Sequence, residues 1–458
     1  MTVHTRHAQV DRALAPSPLY AGCLDADIPR AHLGERGISA ELAASIVADE
    51  LLLDGHARLN LATFCATVGE PVIDALAAGT ARVNITNQDE YPASVEIERR
   101  LCAIVANLWH APADYAAVAT TGSSEAIQLA VLAARQRYRE RGGTGTPNLV
   151  YSAAAHPCWD KACRYFDVEP RRLPIPTTPG APALDPAVVR AAIDENTIAV
   201  AATLGYPSTG ILDDVHGLAH MLDRLQRDSG LDVGLHVDAA SGGFTVPFSH
   251  PQLVWDFGLE RVVSINASGH KYAGAPLGLG FVAWRHGDLL PDHLCFDVNL
   301  LGGQPVKSFS LTFSRPAAPI IAAYTTMLRL GREGYTSLVA HEHEVAALVA
   351  EAVVRHGFTL WGDGRALPLV AFSLPVASRR SWGLEHLSAK LREKGWQLPV
   401  YALPPGAEDV LVARVTCRAG LSADLAHKLI ADIDAAVAAL DAHEGSHPNA
   451  PIEGFHQA

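Results

Sequence analysis

Six short apolar runs, at residues 115–120, 149–152, 198–204, 235–238, 262–265 and 279–284, recur along the first two thirds of the chain with helical stretches between them. Each run is continuously apolar and does not alternate, as expected of strands covered on both faces. Strands that alternate with helices build a doubly wound α/β layer, and such a layer takes its ligand at the C-terminal ends of its strands. The residues that follow each run are therefore the first place to look for chemistry.

The chain has 458 residues, which suits one large domain with one or two smaller ones. It is 49% hydrophobic and 19% charged, enough to bury a large core. A formal charge of −13 argues against a nucleic-acid surface and offers anionic lipid no attraction. No apolar run reaches membrane-spanning length, and the N-terminus lacks the apolar centre of a signal peptide. The seven cysteines are scattered and odd in number, which fits reduced thiols in a cytoplasm. His156, Cys158 and Cys163 match no common zinc spacing and read as packing residues.

Residues 1–35 are polar, carry Pro16, Pro18 and Pro29, and read as an arm that needs a partner surface to become ordered. Ser39 then has the position of an N-cap for a helix running to about Leu53, with Leu42, Ile46 and Leu53 on one face and Gly55 as its stop. The pattern predicts two helices at about 317–332 and 335–356, followed by a smaller α+β region with strands near 369–373 and 409–416. We divide the chain into an arm and helix at 1–58, a large domain at 59–341 and a small C-terminal domain at 342–458.

Three strand ends carry the candidate site. The run SINASGHKYAGAPLGLG at 264–280 delivers Lys271 from a strand end into glycine-rich surroundings, where a flat cofactor can approach. The run HVDAASGG at 236–243 places Asp238 at another strand end, followed by Ala239 and Ala240, small enough for a ring to lie against the backbone. A lysine that forms a Schiff base and a carboxylate that holds a pyridinium nitrogen are the two fixtures of pyridoxal phosphate chemistry. The run TTGSSEA at 120–126 puts Ser123 and Ser124 at a helix start, a ready anion site for a phosphate. His156 is a candidate to stack on the ring. The GxxxGxG at 274–280 precedes a strand, not a helix, so it is no dinucleotide fingerprint.

These segments, together with LNLATFC (59–65), DEYPASVEIERRLCAIVANLWHAP (89–112), LGGQ (301–304), FSRPA (313–317), LRLGREGYT (328–336) and VARVTCRAG (412–420), resemble the group II pyridoxal-phosphate decarboxylases. Within that group the chain is similar to the glutamate decarboxylases. The resemblance implies fold type I of the pyridoxal-phosphate-dependent transferases: a mostly parallel seven-stranded sheet, a small C-terminal α+β domain and an N-terminal arm. It implies pyridoxal 5'-phosphate as cofactor, attached to Lys271, with His270 near the phosphate, Asp238 on the ring nitrogen, Ser123 and Ser124 on the phosphate, Ala240 against the ring and His156 stacked on it. Phe313 and Ser314 match a segment that reaches the phosphate from a neighbouring subunit, so a homodimer or a trimer of dimers is implied. Thr63, Phe64 and Asn84 match the distal substrate pocket, and Arg414 matches a binder of substrate carboxylate.

Two positions depart from the pattern. Asn87 stands where glutamate decarboxylases carry a pocket aspartate, and Pro207, in TLGYPSTG, stands where they carry a threonine. An amide can still hydrogen-bond a distal carboxylate, but it also admits a neutral side chain. The implied reaction is α-decarboxylation of L-glutamate to 4-aminobutanoate. Decarboxylation of valine, leucine or methionine, and transamination or oxidative deamination on the same fold, stay open. The tail EGFHQA resembles a histidine-containing closing segment, with its histidine offset by one residue.

Overall fold

The computed structural model describes residues 31–34, 37–86, 88–298 and 306–443. Asn87, the LGGQ segment, most of the arm and the EGFHQA tail lie outside the described residues. By its contacts the chain forms two units, Met1–His56 and Ala57–Ala458.

In the first unit the helix α1 (Ala40–Leu51) begins where Ser39 caps it, the serine side chain accepting from the Leu42 N–H at 3.2 Å. The expected helix was too long at its far end. It stops at Leu51, and Leu53 is exposed while Leu42 and Ile46 are half-buried.

In the second unit the first helices are α2 (Pro71–Gly79) and α3 (Pro92–Leu108), each started by a proline that needs no hydrogen-bonded N–H there. The main sheet contains β1 (Ala116–Thr120), β2 (Asn148–Ser152), β3 (Glu169–Leu173), β4 (Thr197–Thr203), β5 (Gly234–Asp238), β6 (Val262–Ser268) and β7 (Gly280–Trp284). Their spatial order is β1-β7-β6-β5-β4-β2-β3. Only β7 runs antiparallel, paired to β1 on one side and β6 on the other. The connecting helices are α4 (Ser123–Glu140), α5 (Cys158–Tyr165), α6 (Pro186–Ala191), α7 (Val215–Ser229) and the single turn α8 (Val246–Ser249). Leu235, Val237, Val262 and Ile265 have no exposed surface, and full burial of such a side chain contributes about 1.5–3 kcal/mol. In this sheet one strand escaped the sequence reading: β3, Glu-Pro-Arg-Arg-Leu, is an edge strand paired only to β2, so its polar residues face outwards.

A two-stranded ribbon, β8 (Phe296–Val298) and β9 (Val306–Ser308), precedes the long helix α9 (Ala318–Arg355). The two helices expected here are both present, joined within α9 across a break where Gly331 takes φ 56° and ψ −170°, a conformation open to glycine. The C-terminal sheet, in the order β10 (Thr359–Asp363), β11 (Leu369–Ser373), β13 (Leu411–Thr416), β12 (Val400–Ala402), is antiparallel. It packs with α10 (Leu384–Arg392) and α11 (Ala423–Asp441) over a separate core that includes Trp382 and Trp396. Leu61 belongs to this second core, and its N–H donates to Gln397 O while its carbonyl accepts from Thr416 N. The segment 57–66 is thereby strapped to the small sheet on its way to the site.

Candidate active site

The C-terminal ends of β4, β5 and β6 and the start of α4 enclose a cavity of about 230 Å³. Its lining brings together Ser123, Ser124, His156, Asp238, Ala240, His270 and Lys271, seven of the residues singled out from the sequence. Thr203, Gly205, Pro207, Ser241 and Ser268 complete much of the wall. Two larger depressions, of about 650 and 600 Å³, lie elsewhere. Chemistry, not size, marks the smaller one.

Helix α4 starts directly after β1, and Gly122 at its N-cap position has no side chain to cap the first turn. The N–H groups of Ser123 and Ser124 therefore remain available at the positive end of the helix. Ser268, at the end of β6, donates its hydroxyl to Ser123 Oγ at 2.8 Å and ties the two strand ends together. The approach is close. A Cβ on Gly280 would stand 2.4 Å from the Gly122 carbonyl carbon, so β7 can run beside the α4 loop only with glycine there. Glu125 folds back to accept from the Thr121 N–H at 2.7 Å and hydroxyl at 2.8 Å, and its other oxygen accepts from Leu311 N at 3.0 Å.

Asp238 is buried and its carboxylate accepts three donors: Trp159 Nε1 at 2.9 Å, Asn266 Nδ2 at 3.0 Å and Ala240 N at 3.1 Å. No lysine or arginine among the described residues comes within ion-pair distance of it. Lys271 Nζ instead donates to Ser241 Oγ at 3.2 Å and stands 4.8 Å from the centre of the Phe64 ring. Burial lowers the Lys271 pKa, opposed by the charge of Asp238. Burial, then the Lys271 charge, brings His270 down to about 4, and the same two causes lower His156. All three groups are thus held towards their neutral forms. A buried carboxylate without a bonded cation, a primary amine inclined to neutrality and a helix start with free N–H groups are the three contacts that the ring nitrogen, aldehyde and phosphate of pyridoxal phosphate require. The residues fit the group.

The substrate residues divide. Thr63 and Phe64 lie within the strapped segment, with Thr63 Oγ1 accepting from Cys65 N at 3.1 Å. Arg414 on β13 is buried behind Phe64, its guanidinium 4.8 Å from that ring, donating to Ala62 O at 2.6 Å and to Pro207 O. Its Nε is buried with no hydrogen-bond partner. None of Thr63, Phe64, Asn84, Phe313, Ser314 and Arg414 lines the cavity itself, although Phe64 stands near Lys271 and Arg414 reaches the wall through Pro207. Asn84 Oδ1 accepts from Arg315 N at 3.1 Å, and Phe313 and Ser314 are exposed.

Several neighbours of Asp238 and Lys271 escaped the sequence reading, namely Trp159, Ser241, Asn266 and Ser268. Asn266 and Ser268 carried a signal: with Ser264 they form a polar alternation at every second residue, which places all three on one face of a strand. Nothing local marked Trp159.

Comparison with known proteins places these residues in context. The sequence profile of the pyridoxal-dependent decarboxylase conserved domain matches residues 36–375. Glutamate decarboxylase beta of Listeria monocytogenes is 38% identical over 427 residues, covering 91% of both chains. A glutamate decarboxylase of Petunia hybrida is 40% identical over 425 residues, 90% of this chain and 84% of that one. The solved structure of a Lactobacillus brevis glutamate decarboxylase superposes with a TM-score of 0.89 at 38% identity, over 93% of this chain and 99% of that one.

Proposed function

The chain belongs to the pyridoxal-dependent decarboxylase family, and we propose that it converts L-glutamate to 4-aminobutanoate and carbon dioxide. The observation that carries the proposal is the joint one. A cavity holding Lys271, Asp238 and the α4 start lies in a chain 38–40% identical, over most of its length, to glutamate decarboxylases.

In this reading Lys271 anchors the cofactor covalently, Asp238 holds its ring nitrogen, and His156 and Ala240 flank the ring. Ser123, Ser124 and His270 hold the phosphate. When bound, the cofactor supplies a ring that accepts the electron pair left as the carboxylate departs. The protein's part is orientation and electrostatics. Arg414 presents its spare N–H to a substrate carboxylate, and burial around Lys271 keeps an amine able to attack an aldehyde. In the same reading Thr63, Phe64, Asn84 and Asn87 form the distal pocket, and Phe313 and Ser314 serve a neighbouring subunit. A homodimer or trimer of dimers is the assembly this implies. A cytoplasmic location fits the six free cysteines among the described residues and would show in cell fractionation.

The test is amine release from a panel of amino acids. A pocket built for a carboxylate leaves buried donors unpaired when an apolar side chain enters, so kcat/KM for glutamate should exceed that for valine, leucine or methionine by at least about 100-fold. Asn87→Asp should move the optimum towards acid, since a second carboxylate must be protonated before glutamate binds. Faster turnover of valine or methionine would remove glutamate as the substrate and leave the family chemistry standing.

A further inference from the structure

The parallel register of β5 and β6 sets Asp238 beside Asn266 and His236 beside Ser264. Alternation along each strand then turns all four side chains to the same face. They are linked in a line. Asn266 Nδ2 donates to Asp238 Oδ1 at 3.0 Å, Asn266 Oδ1 lies 2.7 Å from His236 Nε2, and His236 Nδ1 lies 2.7 Å from Ser264 Oγ. Trp159 closes the set, its indole N–H on Asp238 Oδ2 at 2.9 Å and its ring edge-to-face with His236 at 5.2 Å.

These contacts admit one arrangement of hydrogens. A carboxylate only accepts, so the Asn266 amide turns its N–H₂ to Asp238 and its oxygen to His236. That oxygen also only accepts, so His236 carries its hydrogen on Nε2. Burial lowers the His236 pKa, so the ring is neutral and Nδ1 accepts from the Ser264 hydroxyl. Every group is satisfied only while His236 is in place.

We infer that His236 is a positioning residue for the decarboxylation, locking the Asn266 amide so that both oxygens of Asp238 stay engaged by side-chain donors. The inference rests on the reading of Asp238 as the partner of the cofactor's ring nitrogen. A proton shared between that nitrogen and a carboxylate stays on the nitrogen when other donors stabilise the carboxylate charge. Without His236 the amide is free to rotate and set its oxygen against Asp238 Oδ1, replacing an attraction with a repulsion. The proton then moves towards the carboxylate and the ring loses its positive charge.

The experiment is a nitrogen NMR measurement on protein loaded with cofactor labelled with ¹⁵N in its pyridine ring, with borohydride confirming attachment to Lys271 on a parallel sample. The wild-type resonance should lie at the pyridinium position. In His236→Leu and in Asn266→Ala it should move towards the unprotonated position at the same pH. In both, kcat should fall about tenfold, one unit of pKa, while KM changes less than about twofold. His236→Gln, whose amide can donate to Asn266 Oδ1, should recover part of both effects. His236 and Ser264 border the depression of about 600 Å³, which leaves room for the replaced side chains. Should His236→Leu not fold, Asn266→Ala and Trp159→Phe make the same comparison. An attached cofactor with one unchanged resonance across the folded variants overturns the inference. A wild-type protein that attaches no cofactor to Lys271 overturns the reading beneath it, and the inference with it.

Discussion

Burial sorts the ionisable groups around the site in two directions. Lys271, His270 and His156 are held towards neutrality because burial penalises the charged form of each more than the neutral one. The same penalty on charge moves the pKa of an acid the other way: Glu342 of α9 is raised to about 8, with Oε2 buried and unpartnered. A folded-state pKa above the ordinary 4.5 means that the folded protein binds the proton more tightly than the unfolded chain. The resulting loss of stability is absent below pH 4.5, grows as pH rises through that window, and levels off above about 8. Glu342→Gln keeps an oxygen for the Ala419 N–H and removes the titration. Its stability relative to wild type, read from the melting temperature at each pH, should therefore climb between those limits by at most roughly a few kcal/mol. A difference that stays constant with pH would exclude a titrating Glu342.

At the scale of elements, one strand pairing and one helix start define the end of the cavity proposed to take the phosphate. β7 runs antiparallel between β1 and β6, and its first residue, Gly280, pairs with Thr120 on one side and Ser268 on the other. Both partners lead directly into the cavity, through Gly122 and Lys271 respectively. Because a Cβ at Gly280 would meet backbone at 2.4 Å, no side-chain rotation relieves the contact, and the α4 start must move. Gly280→Ala should lower stability by about 1–3 kcal/mol. It should also weaken cofactor binding by about tenfold, which is 1.4 kcal/mol. Calorimetry and a cofactor titration read the two effects separately. Unchanged cofactor affinity would mean that the α4 start does not hold the phosphate.

At the scale of the whole molecule, the site draws on two sheets. Arg414 of the small sheet donates to Pro207 on the loop after β4 and to Ala62 on the strap, and Arg418 holds the same strap through Ala57 O at 3.0 Å and Asn60 O at 2.9 Å. One part of the expected site is not drawn in. Phe313 and Ser314 are exposed on a segment tied by Leu311 to Glu125 at the α4 start. The proposed sharing of the site between subunits predicts such a position, and mixing tests it. Inactive Lys271→Ala and Ser314→Trp subunits, reassociated at random, should recover roughly a quarter of wild-type activity, because half the dimers are mixed and each has one intact site. Mixed dimers shown to form but left inactive would place the whole site within one chain.

The strand ends were legible in the sequence because their signal is local. A continuous apolar run that stops at a small or polar residue marks where a buried strand surfaces, and Asp238, Lys271 and the serines of α4 each follow such a run. The N-cap at Ser39 was legible for the same reason, since a cap is a bond between residues three apart. What the sequence could not locate depends on partners far along the chain. The three-residue β12 and the polar edge strand β3 exist because β13 and β2 pair with them, and their own composition does not call for a strand. Trp159 reaches Asp238 across 79 residues and Arg414 reaches Ala62 across 352. Local pattern determines which residues stand at a strand end. Only the packed sheet decides which ends adjoin and which donors converge on the carboxylate between them, because burying that carboxylate requires every donor around it to be satisfied at once.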